Sequence, residues 1–162
     1  MPRISTGLVM YKLKDNNLFV FIVHPGGPFW KNKDEGAWSI PKGEVDDNKF
    51  DIQSLLKNAR REFKEETGIS PPENSEDYIY LDSIKQKNNK IVHAWAFPGN
   101  WSGLLMCSSF VNIEYPYLSG KFIKIPEVDK ADFFPADIAK KKINPAQVEL
   151  IERLEEKLMN KK

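Results

Sequence analysis

The feature that most restricts the fold is one amphipathic segment, from about Ile52 to Thr67, set between runs that read as β-strands. At about 100° per residue, Ile52, Leu55, Leu56, Ala59 and Phe63 gather into one apolar stripe, and Lys57, Arg60 and Lys64 fall on the side expected to face water. Gly68 stands where a helix ends in a left-handed residue. Upstream, "ISTGLVMYKL" and "LFVFIVH" read as strands joined by a turn at "KDNN". The Gly- and Pro-rich "PGGPFWKNKDEGAW" is a loop, "AWSIP" a short extended piece and "KGEVDDNKFD" another loop. Downstream, "DYIYLDSIKQ" and "KIVHAWAF" flank "KNNK" as a hairpin, and "SFVNIEYPYLSGKFIKIPEVDKADFF" supplies further strands broken by prolines. "NPAQVELIERLEEKLMN" is a final helix, capped by Asn144, with Pro145 in its first turn and Gln147 completing a capping box. Strands, a helix, more strands and a last helix imply a mixed sheet with helices packed on it.

A chain of 162 residues fits one domain, residues 1–162, with enough length to bury a real core. The net charge of +1 argues against a nucleic-acid or membrane surface acting through bulk charge. The one cysteine, Cys107, excludes an internal disulfide, suits a reducing compartment and is read as a small core residue rather than a nucleophile. The N-terminal "MPRISTGLVMYKLKDNN" reaches charge before an apolar signal core forms, and no apolar run approaches the roughly 18 residues of a spanning helix. A soluble cytoplasmic protein is the expectation, with neither membrane nor nucleic acid as a partner.

Within the helical segment, "REFKEETGI" places Glu62 and Glu66 one turn apart at the border of the apolar stripe, with Glu65 beside them. Lys64 points away, and only Arg61, one turn before Glu65, is well placed to pair. Carboxylates crowded against a core raise one another's pKa unless a cation compensates. Hard oxygen ligands in such a cluster suit Mg²⁺ or Mn²⁺, which need few protein carboxylates and complete their shells with water and phosphate. A plain charged helix face is the competing reading of these residues.

The neighbouring residues add to this. The chain resembles the Nudix hydrolase family, whose box reads G-x5-E-x7-R-E-U-x-E-E-x-G-U, with U aliphatic or aromatic. "REFKEETGI" matches the second half throughout, and Gly43 in "IPKGE" matches the opening glycine. "AWSIPKGE" and "PEVDKADFF" before a short helix look like the bacterial branch of Nudix pyrophosphohydrolases, so the resemblance spans the chain. The first half departs. Counted back from Arg61, the middle glutamate position holds Gln53; counted forward from Gly43 it holds Lys49, because the spacing is four residues too long.

The resemblance implies an α/β/α sandwich with a mixed sheet and a loop–helix–loop motif. It implies cleavage of a nucleoside diphosphate linked to another group X, a small-molecule nucleotide substrate. It also implies Mg²⁺ or Mn²⁺ held by Glu62, Glu65, Glu66 and the Gly43 carbonyl, with Arg61 orienting the acids. Outside the box, Glu114 and Glu127 are candidates for an external base or a further ligand, against surface glutamates beside proline turns, and Lys42 for a phosphate contact, against a solvated loop lysine. Phe29, Trp30, Trp38 and Tyr115 are candidates for stacking on a base, with core packing the competing reading for each and Phe29 and Trp30 the more exposed in their Gly/Pro loop. His24 and His93 read as core or rim, and "KKK" at 140–142 as a solvated helix end favoured by the helix dipole. Two function classes follow: a metal-dependent pyrophosphohydrolase, with dinucleoside polyphosphates ahead of (d)NTPs and nucleotide sugars, and a nucleotide-sensing module without turnover.

Overall fold

The computed structural model of the chain describes residues 2–45 and 51–160. Strands β1 (Arg3–Lys14) and β2 (Asn17–Pro25) pair antiparallel through a tight turn at Asp15 and Asn16. Both turn residues have positive φ, 53° and 66°, a conformation that Asp and Asn tolerate better than most side chains. β1 contributes to three pairings. β2 covers its second half, β3 (Lys42–Glu44) pairs with Ser5, Thr6 and Gly7, and β5 (Lys90–Pro98) runs parallel along it from Arg3 to Tyr11. The stretch expected to be a loop after Pro41 therefore begins as a strand, because the backbone of β1 offers a free row of partners there. Residues 46–50 of that stretch, with Lys49, lie outside the described residues.

β4 (Ile79–Gln86) closes one edge of the sheet on β5, and β8 (Val128–Pro135) closes the other on β2. The strand order β4-β5-β1-β2-β8, with β3 beside β1, is mixed as the sequence implied. β6 (Phe110–Glu114) and β7 (Phe122–Pro126) form a separate two-stranded hairpin.

Alternation along β1 and β2 splits the apolar residues between the two faces of the sheet. Leu8, Met10, Phe21 and Val23 pack with Leu55, Ala59 and Phe63 of α1 (Ile52–Thr67) on one face. Val9, Tyr11, Val20 and Ile22 pack on the other with α2 (Ala136–Lys142) and α3 (Val148–Met159). This is the expected α/β/α sandwich. No helix among the described residues is long and apolar enough to cross a membrane.

Caps set both ends of α1. The Asp51 carboxylate accepts from the Ser54 amide at 3.0 Å, and Gly68, at φ 79°, donates its N–H to the Lys64 carbonyl at 2.8 Å. Two members of the sequence pattern behave differently from expectation. Ile52 is 50% exposed, and Arg60 turns inward beside Tyr78 rather than facing water.

The last helix also starts differently. Asn144 caps a 3₁₀ turn (Pro145–Gln147) by accepting from the Ala146 amide at 2.9 Å, and α3 follows it. Gln147 completes no capping box. Fully buried, it accepts from the Ile40 amide at 2.9 Å and donates to Ser39 Oγ and Gln86 Oε1, tying the β3 approach to β4. The lysines at the end of α2 are not simply solvated either: Lys140 pairs with Glu155 at 2.5 Å and Lys142 with Asp34 at 2.8 Å.

Candidate functional site

The three glutamates of α1 have different environments. Glu62 and Glu66 are 9% and 5% exposed, whereas Glu65 is half-buried. A spacing of four places the first two on the edge of the stripe that meets the sheet, while Glu65 lies about 100° round the helix from Glu66. Arg61 holds this face together: Nη1 donates to Glu65 Oε1 at 3.0 Å, and Nη2 donates to Asn58 Oδ1 at 2.7 Å while lying 3.1 Å from Glu62 Oε1. Asn58 in turn donates to Thr6 Oγ at 2.8 Å, which ties the guanidinium network to β1. From the far side, the Ser108 amide and hydroxyl both donate to the Glu65 carbonyl, at 2.7 and 3.1 Å.

β3 lies across this helix face. A Cβ at Gly43 would fall on the Glu62 carboxyl group, so only glycine lets the strand come this close. Two adjoining cavities open here and share Lys42 and Glu127. One, of about 330 Å³, is lined also by Gly43, Glu44, Glu62 and Lys90; the other, of about 200 Å³, by Glu66, Ser39 and Ile40 among others. Glu127 enters from the junction of β7 and β8, where its amide donates to the Ser109 carbonyl at 2.9 Å and its carbonyl accepts from Gly26 at 3.1 Å. A larger, mostly apolar groove between the β1–β2 turn and α3 is remote from these carboxylates.

The charges in this cleft are poorly compensated. Burial, then the Glu127 and Glu62 charges, push the Glu66 carboxyl up to about 8, against the pull of Lys42. Burial and the neighbouring Lys90 ammonium bring Lys42 down to about 8. Among the described residues, no three carboxylate, imidazole or thiol groups are gathered closely enough to hold an ion unaided. Mg²⁺ does not require that, because it keeps waters and takes phosphate oxygens beside one or two carboxylates. Two buried carboxylates whose charges oppose each other, one of them packed against the Gly43 backbone, suit such a hard dication.

Of the remaining candidates, Phe29 and Trp30 are exposed, at 46% and 40%, and Phe29 packs edge-on against Tyr115 with ring centroids 5.6 Å apart. Their loop is adjacent to the cleft, since a Cβ at Gly26 or Gly27 would strike Pro126 or Ile125, next to Glu127. Trp38 is core, at 5% exposed. Glu114 is not brought to the cleft; its carboxylate accepts from the Gly120 amide at 3.0 Å and closes its own hairpin. His24 is buried between Asp129, 2.9 Å from Nδ1, and the Lys33 carbonyl, 2.7 Å from Nε2. His93 stacks on Tyr80, and Cys107 sits at the rim of the core, donating to the Ser109 carbonyl. Sequence reasoning missed Asn58 and Lys90. Asn58 carries a signal, three residues before Arg61 on the same helix; Lys90 carries none, because only the parallel β1–β5 pairing brings it to Lys42.

The profile of the NUDIX domain family matches residues 1–154. Among solved structures, the NUDIX domain of Shewanella oneidensis NrtR, complexed with ADP ribose, is 17% identical with a TM-score of 0.65, over 98% of this chain and 89% of that one. The C. elegans Ap4A hydrolase in a binary complex is 19% identical with a TM-score of 0.64, over 98% of both chains. A MutT protein from Methanosarcina mazei Go1 is 18% identical with a TM-score of 0.57, over 99% of this chain and 97% of that one. No curated protein sequence matches significantly. At such identities the structural likenesses establish the fold, and the profile goes further: with the sandwich and the box helix both in place, this chain belongs to the NUDIX domain family.

Proposed function

We propose that this chain hydrolyses a pyrophosphate bond in a nucleoside diphosphate linked to another group, with Mg²⁺ or Mn²⁺ held by Glu62, Glu66 and the Gly43 carbonyl, and Glu65 completing the acidic face. One observation carries the reading: two buried carboxylates of the box helix converge with Lys42 and Glu127 on one cleft where their charges oppose one another. The bound cation would supply charge neutralisation for the pyrophosphate oxygens and for the departing phosphate.

The chain's own residues do the rest. Arg61, anchored through Asn58 to Thr6, orients Glu62 and Glu65. Lys42 donates to a phosphate oxygen. Glu127, whose side chain makes no hydrogen bond or ion pair among the described residues, takes the proton of the attacking water on its carboxylate. Phe29, Trp30 and Tyr115 offer flat apolar faces for a base.

The likeness to an Ap4A hydrolase and to a domain complexed with ADP ribose sets the order of trial: dinucleoside polyphosphates, then ADP ribose, then (d)NTPs and nucleotide sugars. The test is release of phosphate or nucleoside monophosphate across this series with millimolar Mg²⁺ or Mn²⁺. Turnover of one member is expected, and its loss in Glu66→Gln ties it to this cleft. Gln53 at the middle glutamate position favours the second reading, a nucleotide sensor. Tight binding of a nucleotide without release of product would replace the first reading by that one.

A further inference from the structure

Lys90 opens β5 directly beside Arg3 of β1, which places it at the end of the sheet where β3 also lies. Its side chain lines the same cavity as Lys42, Gly43, Glu44, Glu62 and Glu127. The Lys90 and Lys42 ammonium groups stand close enough to press on each other, and neither forms an ion pair among the described residues. An ammonium has donors and no acceptor, so neither can satisfy the other. Glu66 and Glu44 pull on Lys42 less strongly than Lys90 opposes it, and Glu44 is also engaged by Arg3 at 3.4 Å. Two like charges facing each other in a partly buried cavity cost free energy that an anion between them returns.

We infer that Lys90 and Lys42 together form a seat for one phosphoryl group of the ligand, on the cavity wall facing the box carboxylates. The inference rests on the reading of this cleft as a pyrophosphate site and adds its cationic half. Carboxylates with their cation hold one phosphate, and two ammonium groups carried by β3 and β5 hold the next. A solvated lysine at a strand end would do none of this.

Isothermal titration with inorganic pyrophosphate, with and without Mg²⁺, tests the seat without requiring turnover. Lys90→Met is expected to weaken binding about tenfold or more, the scale of one lost charge-assisted contact, and to flatten its salt dependence. Lys90→Arg is expected to restore most of the affinity. Ligand-free Lys90→Met should melt at or above the wild-type temperature, because one of two opposed charges is gone. With a turned-over nucleotide, KM should rise more than kcat falls. Pyrophosphate affinity unchanged in Lys90→Met overturns the seat while leaving the hydrolase reading intact. So does a wild type that fails to bind pyrophosphate, or a Lys90→Met protein of lowered melting temperature whose binding Lys90→Arg does not recover. Loss of pyrophosphate binding in Lys90→Met, in a chain that hydrolyses no nucleotide, keeps the seat and removes the hydrolase reading.

Discussion

Glu66 is the residue on which the proposed chemistry of the cleft turns, and its charge state makes a definite prediction. Its folded-state pKa lies near 8, raised by burial first and by Glu127 and Glu62 next. The folded protein therefore favours the protonated carboxyl, so this group's contribution is fully present below the ordinary carboxylate range and is lost as pH rises through about 8. Metal-free protein should melt at a lower temperature at pH 8 than at pH 5.5, and Glu66→Gln should flatten much of that slope while abolishing hydrolysis. A wild-type slope retained in Glu66→Gln would place the titrating group elsewhere. Glu127 separates from it cleanly. As the proposed base, Glu127→Gln should lose turnover by roughly 10²–10⁴-fold, the usual scale of general-base catalysis, yet keep the melting shift produced by Mg²⁺. If turnover survives, one of the box carboxylates is the base. At this scale the sequence was legible where residues share a helix. The i, i+4 spacing in "REFKEETGI" is enough to pair Arg61 with Glu65 and to set Glu62 one turn from Glu66, and both relations hold in the folded chain. The spacing set Glu62 and Glu66 at the border of the apolar stripe but not how deeply their carboxylates would be buried, because that depends on how β3 crosses the helix at Gly43.

Elements were legible where both ends carry their own chemistry. The helix from Ile52 to Thr67 has the bounds read from its pattern, since Gly68 stops it with an αL residue. That stop is testable. Gly68→Ala must adopt φ 79° with a side chain, at about 1–2 kcal/mol, and its Cβ would meet Met106 at 2.7 Å. Denaturant unfolding should show a loss of at least that size, and no loss would mean that the loop carrying Met106 yields freely. Phe63, fully buried between Phe21 and Phe97, anchors the same helix; Phe63→Ala should cost about 3–5 kcal/mol and lower activity only through stability. Turnover that stays low in conditions where the variant is fully folded would show that Phe63 also sets the glutamates' position. Elements defined by partners were not legible. β3 is three residues containing a glycine, and nothing local marks it as a strand; it exists because β1 has unpaired backbone there. Gln147 fitted a capping box by spacing, but Ser39 and Ile40 on one segment and Gln86 on another use its amide instead.

At the scale of the whole molecule, one sheet buries two apolar faces and brings the ends of β3 and β5 and the start of β8 to the edge of α1, so that acids and lysines far apart in sequence share a cleft. The core beneath α1 holds Leu55, Ala59 and Phe63 whatever the length of the segment preceding it, which is why a box four residues too long still presents Glu62 and Glu66 together. A fold that pays for crowded carboxylates should respond to a cation that relieves them. Mg²⁺ or Mn²⁺ binding to the native state alone raises the melting temperature by linkage, by about 2.7 kcal/mol of stability at a hundredfold excess over Kd. The sign of the pH effect follows from Glu66. Below about 8 its carboxyl carries a proton that the ion must displace, so the metal-induced shift should be large near pH 8 and fade toward pH 5. Ca²⁺, larger and looser in coordination, should raise the melting temperature without supporting turnover at the Mg²⁺ rate. The measurement is a set of thermal melts with and without millimolar ion across this pH range, repeated on Glu62→Ala/Glu66→Ala. The double variant should lose the shift and its pH dependence together. An equal shift in wild type and double variant would place the ions elsewhere and return the acidic face of α1 to an ordinary charged helix.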